Sequence, residues 1–392
     1  MPGATFSAAG ALARLPQAMA GLGALVMVTE LGGSYSVAGA VAGAVSLSQA
    51  LLAPRVSRLT DRLGQTRVLG PQAALNVAAM VALVVAAYLH APPAALVGLG
   101  AAVGVTLPQI GAAARARWTG LLAGDPRLDT ALATESLIEE AVFVVGPVLV
   151  VAAATGVAPG AGLLVAAALV AVGCALFLAH RSTEPPPRPA GGDQRRVRAT
   201  ASRGVRVLIV MFLAIGVLFG LTEVGVVALT RDLGHPGISG VLLAAWAGAS
   251  LVSGTIYGSR TWPGDPARRL MLSAAAMTVG GVLIAVATQS VVAAAVALVI
   301  AGTANAPTLI TGNTLVAVVA PAEAITEAYT WLSVTVFAGI AVGATVGGAL
   351  IDHGGAPNAL WAAAGAGVLA TTAAAAGRRA QALADSRRSS RG

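Results

Sequence analysis

Charge is scarce in this chain. Only 10% of its 392 residues are charged, against about 25% in a typical soluble domain. Aromatic residues make up 4%, and lysine is missing altogether, so all 24 basic residues are arginines. Cys174 stands alone, which excludes a disulfide-stapled scaffold. No grouping of His and Cys has metal-ligand spacing, no Walker A sequence is present, and no cofactor is implied. What is abundant is apolar: 57% of residues, with a mean hydropathy of +0.82. A soluble globular fold is excluded, and an all-α integral membrane protein remains.

The formal net charge is +8, but the arginines sit in gaps between apolar runs. That is the placement of loop charges that orient a membrane protein, not of a nucleic-acid face, so no nucleic-acid partner is expected. After Arg14 one apolar stretch merges into the next without a short h-region and cleavage site, so the first helix is expected to stay.

A membrane helix needs roughly 20 apolar residues. Breaks at charge, Pro and Gly clusters predict twelve spans: 10–31, 37–57, 67–89, 94–115, 130–154, 160–180, 206–230, 238–258, 268–288, 291–313, 323–350 and 357–377. With both ends placed inside, 23 arginines fall on the inner side and only Arg231 outside, which predicts N-in and C-in. The Pro-rich, charged stretch 181–205, with Arg195-Arg196, reads as an inner linker between a six-helix bundle at 1–180 and another at 206–377. The Arg/Ser-rich tail 378–392 is expected to be unstructured and to lie on anionic lipid.

The halves repeat weakly. Thr29-Glu30 corresponds to Thr222-Glu223, Pro108 to Pro307, and Thr134-Glu135 to Thr326-Glu327. Ser36 to Gly39 likewise corresponds to Gly237 to Gly240, all in one order at offsets of about 192 to 201 residues. Parallel repeats about an axis along the membrane normal belong to carriers that rock around a central site.

Between the second and third spans stands Ser57-Arg58-Leu59-Thr60-Asp61-Arg62-Leu63-Gly64-Gln65-Thr66-Arg67. This resembles the inner-loop signature of the major facilitator superfamily, with Asp61, Arg62, Gly64 and Arg67 in register. Ser57 and Gln65 depart from that pattern. Together with the span count, repeat and central linker, the resemblance covers the whole chain, most closely to actinobacterial efflux-type members. It implies two pseudo-symmetric six-helix bundles in the plasma membrane, working by alternating access as a monomer. It also implies that Asp61 packs on the start of span 11 (322–324) and pairs with Arg115 or Arg117 below span 4, closing the inner side. In the second half Gly258-Ser259-Arg260 answers the start of the motif, but Trp262-Pro263-Gly264 departs from it.

Ionisable residues inside a membrane are candidates for function. Glu139 and Glu140 lie deep in span 5, but adjacent residues differ by about 100° around the axis, so both cannot face one partner. The superfamily places spans 1 and 5 side by side, so Arg14 is expected to pair with one of them. Glu223 and Glu30, late in spans 7 and 1, are further proton-coupling candidates. Glu323 and Glu327 read as cap or latch residues at the start of span 11.

The polar residues Gln49, Gln109, Asn305, Thr308, Asn313, Trp246, Tyr329 and Trp331 are candidates for lining a substrate cavity, or alternatively for bonds between helices. Small-residue stripes at Gly39 and Gly43, Gly254 and Gly258, and Gly339, Gly343 and Gly347 read, through the resemblance, as sliding seams between the halves. Gly146-Pro147 resembles the core of an antiporter motif without its flanking glycines. The leading expectation is proton-coupled export of a small amphipathic or drug-like compound. The runner-up is proton-coupled uptake of a small polar nutrient such as a sugar. No nucleophile and base pairing points to an enzyme.

Overall fold

The computed structural model describes residues 2–187, 199–321 and 324–389, with side chains from 5 to 378 apart from Ala201 and Thr326. Arg195, Arg196, Ala322, Glu323 and the side chains of the tail beyond Arg378 lie outside the described residues. The helices in order are α1 (Pro2–Glu30), α2 (Tyr35–Leu63), α3 (Gln65–Tyr88), α4 (Pro93–Thr106), α5 (Ile110–Leu121), α6 (Arg127–Gly156) and α7 (Ala161–Ala179). They continue as α8 (Arg203–Asp232), α9 (Ser239–Gly258), α10 (Pro266–Val286), α11 (Val291–Gly302), α12 (Asn305–Val319), α13 (Ile325–Gly354) and α14 (Ala356–Ser389). Twelve stretches of the described residues are long and apolar enough to cross a membrane, with α4–α5 and α11–α12 each serving as one broken span.

Local chemistry explains where helices begin and stop. Ser34, Ser202 and Ser290 accept backbone N–H bonds at the starts of α2, α8 and α11, and Asp265 does the same twice for α10. Gly64 joins α2 to α3 with no intervening residue; its φ of 93° is open to glycine and strained for other residues.

The chain divides into two compact units, one of residues 1–192 with 234–244, the other of 193–233 with 245–392. The turn before α9 and the first residues of α9 thus belong with the first unit, although they follow span 7 in sequence. The backbone explains why: a Cβ on Gly240 would stand 2.5 Å from the Pro147 carbonyl oxygen of α6, so only glycine allows that approach.

In the first unit α1 packs on α7, α6 and α2. Its core gathers Phe6, Leu69, Ile110, Val170 and Phe177. The Phe6 ring lies 4.9 Å from that of Trp118 and meets Phe177 edge-on. Lipid tails are as apolar as these side chains, so such contacts hold helices together through close packing and polar bonds rather than through escape from water.

The break in span 4 at Leu107-Pro108-Gln109 frees backbone carbonyls. Two amides one turn apart on α3 meet them: Gln72 donates to the Leu107 carbonyl at 3.2 Å and Asn76 to the Val103 carbonyl at 2.8 Å. At the break in span 10 the backbone turns tightly, the Thr303 and Ala304 N–H groups reaching the Ile300 and Ala301 carbonyls, and the Thr303 and Thr308 hydroxyls add second bonds to Ile300 and Ala304.

In the second unit α8 packs on α13 and α14. Here the reading of Gly339, Gly343 and Gly347 as a sliding seam between halves is corrected. The stripe faces α8 of its own unit, where a Cβ on Gly339 would fall 2.8 Å from the Gly216 Cα and one on Gly343 3.0 Å from the Leu221 nitrogen. Gly146 holds the corresponding place in the first unit, its Cβ position 2.8 Å from Ala18 of α1. The glycines permit backbone contact inside each bundle.

The tail also differs from expectation. It continues α14 to Ser389, because its Ala, Arg, Gln and Leu are strong helix formers with no Pro or Gly before that point.

Candidate functional site

The first unit buries a charged cluster between α1, α5 and α6. α6 begins at Arg127, where Asp125 in the preceding turn bonds the Arg127 backbone and guanidinium. The Arg127 side-chain bond holds the half-buried Asp125 carboxyl down to about 2. From that start Glu139 lies about 18 Å along the helix, at 1.5 Å per residue.

Arg14 and Glu135 are both almost inaccessible, at 1% and 0% of side-chain surface, and form a direct ion pair. Glu135 has no free oxygen. One accepts from Arg14; the other accepts from Ser7 and from the Trp118 indole at 2.9 Å. Trp118 also donates to Ser7 at 3.1 Å, which closes the group.

One turn further, Glu139 is held more loosely. One oxygen accepts from Gln17 at 3.1 Å. The other lies 3.9 Å from Arg14 and 3.8 Å from Arg115, yet takes no hydrogen bond, and the Arg14 Nε beside it is likewise unpartnered. The Glu139 side chain is 26% exposed. Gly111 makes room for it, since a Cβ there would stand 3.0 Å from this unbonded oxygen.

The expectation that Arg14 pairs with Glu139 or Glu140 therefore needs correction. Its main partner is Glu135, Glu139 is secondary, and Glu140 is exposed and outside the cluster. Glu135 and Glu139 are four residues apart and share a face, whereas Glu140 turns away. That spacing was the available signal for Glu135. Ser7, two turns before Arg14, and Gln17, one turn after it, follow the same periodicity.

A second network lies where α2 meets α3. Arg117 is fully buried; it donates to Gln65 at 2.8 Å, to the Phe177 and His180 carbonyls, and to Thr183 at 2.9 Å. Its guanidinium stacks 3.9 Å from the Phe177 ring centroid. Gln65 in turn donates to the Ala113 carbonyl. Glu184 accepts from the Thr66 backbone at 3.0 Å and from its hydroxyl at 2.5 Å. Burial works against the charge of Glu184, but these bonds, that of Gln65 and the Arg117 charge outweigh it, so its carboxyl sits below the ordinary range.

The expected pairing of Asp61 with Arg115 or Arg117 is not formed among the described residues. Arg117 bonds Gln65, Thr183 and the Phe177 and His180 carbonyls, Arg115 turns to Glu139, and Asp61, Arg62 and Arg67 are exposed around the buried Gly64.

The other sequence candidates fall in both units. Gln109 stands at the break of span 4 and bonds the Leu107 carbonyl; buried Asn305 opens α12 and buried Gln49 lies in α2. Trp246 meets the Phe219 ring edge-on at 5.4 Å and keeps a buried, unpartnered indole N–H. Tyr329 donates to the Asn313 carbonyl at 3.3 Å and Trp331 to Glu327. Glu30 ends α1, while Glu223 lies well inside α8 with no hydrogen bond or ion pair among the described residues. No group of three or more His, Cys, Asp or Glu among the described residues forms a metal site.

Comparison with known proteins agrees with this architecture. The family profile described as Major Facilitator Superfamily matches residues 6–341. No curated protein matches by sequence. Among solved structures, one of the nucleoside transporter NupG is similar at a TM-score of 0.76 and 16% identity, covering 96% of this chain and 100% of that one. A bacterial homologue of the iron transporter ferroportin in an inward-facing state follows at 0.74 and 15%, covering 96% and 98%. The POT family transporter PepTSo stands at 0.75 and 10%, covering 97% and 98%. At such identities the likeness speaks for the fold. With the matched profile, the twelve spans and the repeated bundles, the chain belongs to the major facilitator superfamily and is a multi-pass plasma-membrane transporter, not an enzyme.

Proposed function

We propose that this transporter exports a small amphipathic, drug-like compound in exchange for protons, and that Glu139 carries the proton. The observation that supports it is the contrast between two carboxylates one turn apart. Glu135 has both oxygens bonded and is sealed, so a proton on either one would have to displace a donor already there. Glu139 keeps one oxygen without a hydrogen bond between two arginines and remains partly open. A carboxyl that alternates between a proton and a cationic neighbour is what coupling requires.

The apolar composition fits an amphipathic cargo better than a polyanion, with Trp246, Gln109, Gln49, Asn305, Tyr329 and Trp331 as its proposed contacts. Asp61, Arg62, Gly64 and Arg67 are proposed to gate the arginine-rich side, which we place inside together with both termini.

In proteoliposomes Glu139→Gln is expected to retain substrate counterflow and to lose accumulation driven by a pH gradient, while Glu140→Gln keeps both. Full pH-driven accumulation by Glu139→Gln would overturn the assignment. Comparing inverted with right-side-out vesicles separates export from uptake.

A further inference from the structure

In the second unit, the start of α8, the start of α10, the end of α12 and the 374–378 stretch of α14 line a cavity of about 440 Å³. Its wall includes Leu208, Met211, Leu270 and Leu315, all buried, and its mouth carries Arg203 and Arg378. Ser202 ties the start of α8 to the end of α12 by donating to the Val319 carbonyl at 2.7 Å. All of these residues belong to the second unit, whereas the Arg14 cluster belongs to the first.

The charges at the mouth are unbalanced. Arg203 makes no hydrogen bond or ion pair among the described residues. Arg378 approaches Asp265 at 3.4 Å through Nε, and the Asp265 carboxylate is already engaged by the Ala267 and Arg268 amides. The Arg378 side chain is 43% exposed, so its terminal nitrogens are available.

Depth decides what fits. Arg203 opens one candidate membrane span and Arg378 is the first charge after the apolar stretch 356–377 of another, which puts both at headgroup level. Leu208 and Met211 lie about 7 to 12 Å further along α8, at the level of acyl chains. Basic pockets between membrane helices at the bilayer surface hold anionic headgroups.

We propose that this cavity binds one anionic phospholipid, its phosphate between Arg203 and Arg378 and part of one acyl chain on Leu208, Met211, Leu270 and Leu315. A soluble anion would use the mouth and leave the apolar wall idle, and a zwitterionic lipid would bring its choline cation beside Arg203 and Arg378 and offset its phosphate. Which leaflet supplies the lipid follows from the arginine distribution; the site itself is independent of the transport direction and of Glu139.

The test uses full-length purified protein, with retained lipid counted by native mass spectrometry and stability followed by thermal melting. Phosphatidylglycerol is titrated against phosphatidylcholine and against inorganic phosphate. The protein is expected to hold one phosphatidylglycerol about tenfold more tightly than phosphatidylcholine and to melt higher with it, phosphate alone having no effect. Arg203→Ala with Arg378→Ala removes the preference. Ala374→Leu keeps both arginines but fills the cavity, and removes it too. Asp265→Asn, which keeps a capping side chain, is expected to tighten phosphatidylglycerol binding. Preference retained in the double variant or in Ala374→Leu, equal stabilisation by phosphate, or an unaltered Asp265→Asn would each overturn the site.

Discussion

Arg14→Met isolates the buried ion pair. In the native protein the Arg14 and Glu135 side chains are 1% and 0% exposed, and no other cation contacts Glu135 among the described residues. Removing one partner of such a pair leaves an uncompensated charge and costs about 3–5 kcal/mol. Two neutral donors, Ser7 and Trp118, remain on Glu135, so the loss is expected near the lower end, about 3 kcal/mol. The double variant Arg14→Met, Glu135→Met removes both charges. Trp118 then keeps Ser7 as its acceptor, so only about 1 kcal/mol of hydrogen bonding is lost and most of the stability returns. Unfolding by SDS titration in mixed micelles, followed by tryptophan fluorescence, measures all three proteins. A loss below about 1 kcal/mol in the single variant, or a double variant no more stable than the single, would refute the reasoning.

Glu184→Ala removes the acceptor of the Thr66 amide, and hydrogen exchange there is expected to quicken on the order of tenfold. The depressed pKa of Glu184 fixes the sign with pH: its contribution is complete above the ordinary carboxylate range and is lost as pH falls below it. Thr66 protection in the native protein should therefore fade on acidification and stay flat in Glu184→Ala. Gly339→Val drives a side chain into Gly216 and is expected to lower stability by about 1–3 kcal/mol, whereas Gly365→Ala, with open space around it, is neutral or mildly stabilising in thermal melts.

Composition and arginine placement made the architecture readable, because a bilayer permits few alternatives to apolar helices joined by charged loops. Pro108 and Pro307 likewise marked the two broken spans. The charged cluster was half legible. Arg14 and span 5 stood out as rare charges in oil, but the choice of partner depends on rotation about α6, and there the i, i+4 relation of Glu135 to Glu139 outranks adjacency to Glu140. Arg117 was read as a gate residue because half of its bonds go to backbone carbonyls, which no residue pattern displays. The stripe of Gly339, Gly343 and Gly347 announced a close helix contact but not which helix supplies it. Gln65, a departure from the family signature, turned out to be the residue that holds Arg117.

The two interrupted spans are repaired in different ways, and their freedom to move differs accordingly. Straightening span 4 would strip Gln72 and Asn76 of their acceptors, so this joint cannot flex without disturbing α3. Span 10 closes its gap with tight turns of its own backbone, doubled by the Thr303 and Thr308 hydroxyls, and takes no side-chain bond from α10 among the described residues. Where one bundle has a clamped elbow the other has a sprung one, and bending within a bundle falls to the α11–α12 joint.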